Sequence, residues 1–406
     1  MMPFSNDDYV RYREALKNER LPAAFVDLDA FDANVDYVAS SQRSTGKSVR
    51  VGTKSIRCVE LTRRVFKRGG PAYRGILGFT MEEAAFLADR GFDDIIVAYP
   101  SVRASDVELL VRLTKAKKTV ALMVDSLEHL AILNAAGKRA RARLRACLEV
   151  DMAYRPLGAP VHLGLRRSPV RTVEQALQLA RAAKNLDWVK IDSIMGYEGH
   201  IAGLNDDLPG AAVKNALMRL VKKASVRELT ARRDDVVDAL RSEGLELRVV
   251  NGGGSGSLVS SGKDPRLSEV TAGSAFYCSG LFHHFKEVSF RPSAFFAVQV
   301  VRVPAKGMVT CLGGGYVASG AMGPDKLPSP VLPAGLRLLP LEAAGEVQTP
   351  LALPEDCPPL SIGDPVVFQH AKAGELCERF NELLLVRGDR VVGRAKTYRG
   401  DRKSVV

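Results

Sequence analysis

From Leu21 to about Phe285 the chain repeats one unit, a short apolar run of strand length followed by a stretch with helical periodicity. Strands are predicted at 23–29, 49–54, 75–79, 94–99, 119–124, 146–151, 191–197 and 246–251. Helix-period segments lie between them, at Phe31 to about Ser40, Met81–Arg90, Val107–Ala116, Leu127–Ala136, Thr172–Ala183 and Leu217–Ser242. Eight such units fit a closed, TIM-like (β/α)8 barrel better than an open sheet. In a barrel of that kind the functional residues sit just after the strands, at their C-terminal ends. Lys54, Asp151, Tyr197 and Asn251 all end predicted strands.

Beyond about Lys286 the texture changes. Phe295–Val303, Met308–Leu312, Pro365–His370, Leu383–Val386 and Arg390–Val392 are β-rich and are separated by Pro-rich turns. The α/β reading is therefore a barrel over 21–285 and a mainly β C-terminal domain over 286–406, with residues 1–20 packing on that domain or on the barrel edge. A content of 46% apolar and 26% charged residues excludes wholesale disorder. No apolar run approaches the ~20 residues that span a bilayer, and the polar start does not read as a signal peptide, so a cytoplasmic protein without a membrane partner is expected. The six cysteines lack CxxC spacing, which argues against a disulfide framework or a zinc ribbon. The net charge of +12 invites a nucleic-acid partner. None is expected, because the basic residues are spread and the densest run, Lys138–Arg145, leads into a strand and reads as a solvated helix end.

Five constellations carry chemistry. Lys54 ends the strand Val49–Lys54, where burial would lower its pKa and let the amine form a Schiff base with a carbonyl cofactor; the bland alternative is a lysine that snorkels into water. The run Asn251-Gly252-Gly253-Gly254-Ser255-Gly256-Ser257 follows a late strand. Its glycines let backbone N–H groups approach an anion, and its serines add hydroxyl donors, so it reads as a phosphate cradle. Tyr197-Glu198-Gly199-His200 offers an aromatic surface, a carboxylate and an imidazole, and Asp151 with Arg155, Arg166 and Arg167 offers fork-shaped donors for a carboxylate or phenolate. Finally, His370, Glu375 and Cys377 lie close enough in sequence to suggest ligands for a divalent ion (Zn, Mn or Mg), although their spacing matches no closed structural site.

Assembled, these residues resemble the fold-type III, alanine racemase-like pyridoxal-phosphate enzymes, and among them the D-threonine aldolase and D-serine dehydratase-like branch. The string His370-Ala371-Lys372-Ala373-Gly374-Glu375-Leu376-Cys377-Glu378-Arg379-Phe380 is similar to that of the amino acid deaminase/aldolase subgroup. The resemblance implies pyridoxal 5'-phosphate as cofactor, Lys54 as its Schiff-base lysine, and Asp151, Arg167 and Tyr197 around its ring. It also implies Gly252 to Ser257 at its phosphate, joined by Gly273, Ser274 and Tyr277. One departure stands out: that branch binds its ion through a histidine one residue removed from an aspartate or cysteine, whereas here Lys372 takes the second position. A metal-free site in which the Lys372 ammonium replaces the ion is one consequence.

The activity implied is that of a lyase on a D-configured β-hydroxy amino acid, with retro-aldol cleavage to glycine and an aldehyde. His200 or a metal-bound group near His370 would then take the β-hydroxyl proton. A dehydratase giving a keto acid and ammonia is the first alternative. A racemase, with Tyr316 or Tyr398 as second base, is another, and a cofactor carrier without turnover a third. The resemblance further implies a homodimer and a small-molecule amino acid substrate.

Overall fold

The computed structural model describes residues 4–158 and 160–403. Strand β1 (Ala23–Asp27) precedes eight strands that close a parallel barrel: β2 (Ser48–Gly52), β3 (Tyr73–Gly78), β4 (Ile95–Val97), β5 (Val120–Val124), β6 (Leu144–Glu149), β7 (Val189–Gly196), β8 (Val249–Gly252) and β9 (Glu269–Ala272). Closure comes from β9 pairing with β2, from Ser48 opposite Glu269 to Val51 opposite Ala272. Then follow β10 (Ala294–Ala305), β11 (Met308–Leu312), β12 (Ser329–Leu332), β13 (Arg337–Leu338), β14 (Gln348–Ala352), β15 (Pro365–Gln369), β16 (Glu382–Arg387) and β17 (Arg390–Lys396). Together with β1 they form a nine-stranded sheet in the order β13-β14-β11-β10-β1-β16-β17, and β15 branches from β10 to carry β12.

The barrel-plus-sheet architecture agrees with the periodicity, but the membership of two strands does not. The run at 23–29 is no barrel strand: β1 pairs antiparallel with β10 and parallel with β16, at the centre of the second sheet. The eighth barrel strand is instead β9, which no apolar run announced because it is four residues long and carries Glu269 and Thr271. Glu269 is tolerated inside the barrel because Arg50, itself fully buried, donates to both of its oxygens, and Arg50 also reaches the carbonyls of Ile76 (3.1 Å) and Asp94 (2.7 Å). Asn251 joins this floor through Glu269 (2.8 Å) and Thr271 (2.9 Å), so it is a structural residue. Removing one partner of such a pair strands a buried charge, at a cost of about 3–5 kcal/mol.

The helix Asn6–Leu16 lies on the second sheet. Its Tyr9 hydroxyl donates to the Pro365 carbonyl (3.1 Å), and Tyr12 and Arg11 donate to Asp27 (2.7 and 2.8 Å). The other oxygen of Asp27 caps the next helix, Leu28–Ser41, through the amides of Asp29 and Ala30. One carboxylate at the end of β1 thus fixes elements on both sides of it. The basic run at 138–145 is a helix end with Lys138, Arg139, Arg141 and Arg143 exposed, and Arg145 pairs with Asp192. Among the described residues no helix is long and apolar enough to cross a membrane.

Candidate active site

Strand β2 stops at Gly52, and Thr53–Ser55 make a single 3-10 turn at the C-terminal mouth of the barrel. The turn buries Thr53, whose hydroxyl lies 3.3 Å from the Leu77 carbonyl, and leaves Lys54 exposed. The expectation of a lysine buried at a strand end is corrected here: the chain leaves the sheet two residues early, and Lys54 is exposed on the turn that follows. The backbone around it is fixed from two sides. Arg57 Nε donates to the Lys54 carbonyl at 3.0 Å, and the Ser55 and Ser274 hydroxyls lie 3.1 Å apart.

Because β2 neighbours β9, that serine pair joins the lysine turn to the turn that leaves β9, and the Ser255 hydroxyl, accepting the amides of Gly273 and Ala275, ties that turn to the glycine loop that leaves β8. Gly253 adopts a φ of +76°, in the region that favours glycine. Gly256 is required by contact instead, since a Cβ there would meet the Ala202 carbonyl and lie 2.7 Å from Phe285 Cζ. The loop's amides divide into two sets. Gly253 N–H donates to Glu198 (3.0 Å), Gly254 N–H to Ser257 Oγ (3.1 Å), and the amides of Gly273 and Ala275 to Ser255 Oγ (3.3 and 2.9 Å). The amides of Ser255, Gly256 and Ser274 have no partner among the described residues. Unpaired N–H groups at one corner of the barrel mouth are what an anion needs.

The Arg167 guanidinium lies 5.1 Å from the Tyr99 ring and 5.6 Å from the Tyr197 ring. Tyr197 also packs on the glycine loop, because a Cβ on Gly254 would lie 3.0 Å from its ring. Burial raises the Tyr197 phenol to about 12, with Arg167 opposing the shift. Glu149, missed in the sequence, ends β6 two residues beyond the lumen-facing Cys147; burial pushes its carboxyl up to about 7 against the pull of Arg167. Two-residue alternation along β6 was the available signal. Asp151 is placed differently from a ring ligand: its carboxylate accepts from the Ala153 amide (2.9 Å), Arg155 (2.7 Å) and Arg171 (3.2 Å).

The remaining candidates disperse. His200 is buried with Nε2 bonded to Ser225 on the long helix Ala212–Ser242, Nδ1 unpartnered, and its pKa lowered by burial. Tyr277 donates to the Ile56 carbonyl at 2.8 Å from within the core, so its phenol faces away from the cradle. His370 is buried, neither ring nitrogen makes a well-formed hydrogen bond, and burial lowers its pKa to about 4 against the opposing pull of the Ala294 and Ala373 backbone. Cys377 donates to the Ile56 carbonyl at 3.3 Å, whereas Glu375 accepts from the Ser319 amide (2.8 Å) and pairs with Lys372 (3.3 Å). His370, Glu375 and Cys377 therefore do not converge as a ligand set, and among the described residues no group of three or more His, Cys, Asp or Glu is arranged to hold an ion. Both later residues sit in one 3-10 turn, Ala373–Glu378, where positions two apart point to different sides. Tyr398 is buried with its hydroxyl on Glu83 (2.8 Å), which leaves it unavailable as a second base, whereas Tyr316 is partly exposed and packs on Phe296 and Phe380.

The turn Ala373–Glu378 nevertheless belongs to this site. It abuts the Lys54 carbonyl at Gly374, and its Glu378 pairs with Arg57. Beside it opens a cavity of about 530 Å³ lined by Ser319, Glu375, Glu378, Arg379 and Arg399 with Val317 and Ala318. Lys372 Nζ donates to Ser319 Oγ at 2.8 Å. Partial burial would raise the Glu375 carboxyl, but hydrogen bonds from Ser319 and the Lys372 charge outweigh it and hold it below the usual range.

Known proteins agree with this architecture. The family model for the alanine racemase N-terminal domain matches residues 26–280, from β1 to just past β9. The chain is 26% identical over 253 residues to 3-hydroxy-D-aspartate aldolase of Paracoccus denitrificans (strain Pd 1222), covering 62% of this chain and 59% of that one. It is 24% identical over 309 residues to D-threonine aldolase of Arthrobacter sp, covering 75% and 74%. The match thus spans less than two thirds of the first relative's length. Among solved structures, D-threonine aldolase from Filomicrobium marinum superposes with a TM-score of 0.80 at 20% identity over 94% of this chain and 95% of that one. D-threo-3-hydroxyaspartate dehydratase from Delftia sp. HT23 gives 0.74 at 17% identity over 94% and 98%. At these identities the structural likeness speaks to the fold alone. With more than half of its length matched, the chain belongs to the alanine racemase N-terminal domain family, and its fold lies with the fold-type III D-threonine aldolase and dehydratase structures.

Proposed function

We propose that the chain is a pyridoxal-phosphate-dependent lyase that cleaves a D-configured β-hydroxy amino acid to glycine and an aldehyde, working as a homodimer. The observation that carries this reading is the coupling of the Lys54 turn to the unpartnered amides of Ser255, Gly256 and Ser274, through the Ser55–Ser274 hydroxyl pair and the Ser255 hydroxyl that holds the Gly273 and Ala275 amides. A phosphate with its aldehyde one ring away fits that pairing of an anion seat with a primary amine. The relatives named for D-threonine and 3-hydroxy-D-aspartate support the substrate class.

Bound pyridoxal phosphate supplies an electron sink for negative charge at Cα. This chain's residues do the rest. Lys54 holds the cofactor carbon, the loop amides hold the phosphate, and Arg167, stacked between two tyrosines, offers a flat cationic wall. Breaking the bond from Cα to Cβ requires removal of the β-hydroxyl proton. Glu375, kept ionised and set on the turn that abuts Lys54, is the acceptor we assign. His370, Glu375 and Cys377 do not fit a shared divalent ion.

Dehydration is the second reading, favoured by Lys372: its ammonium on the same turn can protonate a departing hydroxide. Incubation of purified protein with D-threonine and D-serine tests both. Glycine with acetaldehyde is expected; pyruvate from D-serine would transfer the assignment to the dehydratase, the L-enantiomer to a racemase, and a yellow but inert protein to a carrier. Borohydride reduction followed by peptide mass analysis should fix the cofactor on Lys54, and a label on any other lysine would refute the site.

A further inference from the structure

The buried acid behind the glycine loop has no place in the chemistry above. Glu198 follows β7, is 2% exposed, and accepts from the Gly253 amide at 3.0 Å and from the Ser261 hydroxyl at 2.6 Å. Ser261 Oγ lies 2.9 Å from Ser257 Oγ, which accepts the Gly254 amide at 3.1 Å. A carboxylate has no proton to give, so the Ser261 hydroxyl is held to Glu198. Gly254 N–H points to Ser257, whose own hydroxyl is left to donate to Ser261 or to the Gly254 carbonyl at 3.4 Å. Two of the loop's amides are thereby drawn inward, behind the loop. Those of Ser255 and Gly256 are the ones left to face an anion.

The negative charge of Glu198 would oppose an anion nearby, but it is compensated. Arg233, also 2% exposed, bonds Glu198 (3.3 Å) and the Gly196 carbonyl (3.1 Å) and pairs with Asp264. Gly252 admits it, because a Cβ at that position would lie 3.1 Å from Arg233 Nη2. We infer that Glu198 is the positioning residue of the anion cradle, setting which backbone amides of the glycine loop face a bound phosphate. This inference rests on reading that loop as the phosphate seat.

The test compares pyridoxal phosphate with pyridoxal, which lacks the phosphate, in titrations of the full chain stripped of cofactor. Loss of a buried, charge-assisted hydrogen-bond acceptor is expected to weaken pyridoxal phosphate binding by about 10- to 100-fold in Glu198→Ala while leaving pyridoxal binding unchanged. Glu198→Gln keeps an acceptor for Gly253 and can donate to Ser261, so it should restore binding to within about 3-fold of the native chain. Ser261→Ala breaks one arm only and should weaken pyridoxal phosphate by roughly 3-fold, which keeps the test alive should Glu198→Ala fail to fold. Equal weakening of both ligands, or none, would overturn the inference while leaving the cradle standing. A native chain that binds pyridoxal phosphate no better than pyridoxal would instead remove the cradle, and the inference with it.

Discussion

Gly374 offers the sharpest perturbation of the site, because it touches Lys54 through backbone and not through chemistry. A Cβ on Gly374 would lie well inside 3.0 Å of the Lys54 carbonyl oxygen, a separation that real Cβ atoms essentially never fall below, and 3.1 Å from both the Lys54 carbonyl carbon and Arg57 Nε. No flexible side chain can absorb the overlap, since the atom met is main chain. Either the turn Thr53–Ser55 or the turn Ala373–Glu378 must therefore move, by on the order of 1 Å. Overpacking of this kind costs about 1–3 kcal/mol of stability, and an error of that size in a reacting amine costs about 100-fold in rate. Gly374→Ala is thus expected to lower kcat/KM for D-threonine about 100-fold, read as acetaldehyde release, in protein that still folds. Gly345→Ala is the control. Its Cβ would overlap the Gln348 carbonyl, outside the barrel, so it should lower thermal stability comparably and leave kcat/KM of the folded protein unchanged. Native kcat/KM in Gly374→Ala, or an equal loss in both variants, would refute the coupling of the C-terminal turn to Lys54.

Two further outcomes follow from the buried groups. Burial pushes the Glu83 and Glu149 carboxyls up to about 7 from an ordinary 4.5, so the folded protein holds protons that the unfolded chain releases, and stability should fall as pH rises from about 4.5 to about 7 and level off above. Each group can contribute up to about 3 kcal/mol; in urea titrations from pH 5 to 8 the stability of Glu83→Gln relative to the native chain should climb with pH, and a constant difference would refute the assignment. Cys377 faces the Ile56 carbonyl and Tyr277, so Cys377→Ala should leave the metal content of purified protein unchanged by elemental analysis; loss of an ion carried by the native chain would show that the thiol is a ligand after all.

What the sequence disclosed and what it concealed have physical causes. Barrel strands are apolar because both faces are covered, and the central strand of a covered sheet is apolar for the same reason. β1 and β2 share one burial pattern, so no composition rule separates them; pairing partners hundreds of residues away do. β9 stayed hidden because its inward glutamate is neutralised by an arginine from β2, a long-range fact. The glycine loop was legible because only glycine permits its contacts. Its division into inward and free amides was not, since Glu198 and Ser261 are distant in sequence. Glu375 and Cys377 misled because nearness along a chain does not imply convergence in a 3-10 turn.

The geometry at Arg57 suggests how the two parts of the molecule divide the work. Its Nε holds the Lys54 carbonyl, its guanidinium pairs with Glu378 and lies 4.9 Å from the Phe79 ring, and its own carbonyl accepts the Tyr398 amide at 2.8 Å. Tyr398 in turn donates to Glu83, whose other oxygen accepts the Phe79 amide at 2.7 Å. The lysine turn is thus clasped between the barrel and the C-terminal segments. On the proposed reading, groups meeting the cofactor come from the barrel, whereas Ser319, Lys372 and Glu375 come from connections of the second sheet, after β11 and between β15 and β16. Replacing Lys372 should then alter which bond of the substrate breaks without altering cofactor uptake. Lys372→Met is expected to bind pyridoxal phosphate within about 2-fold of the native chain, because a partly exposed cation engaged with Ser319 and Glu375 adds little to affinity. Its yield of keto acid relative to aldehyde from D-threonine should fall, since the ammonium available to a departing hydroxide is gone. An unchanged product ratio, or a loss of cofactor uptake as large as the loss of turnover, would show that this cation serves the fold or the cofactor and not the choice of reaction.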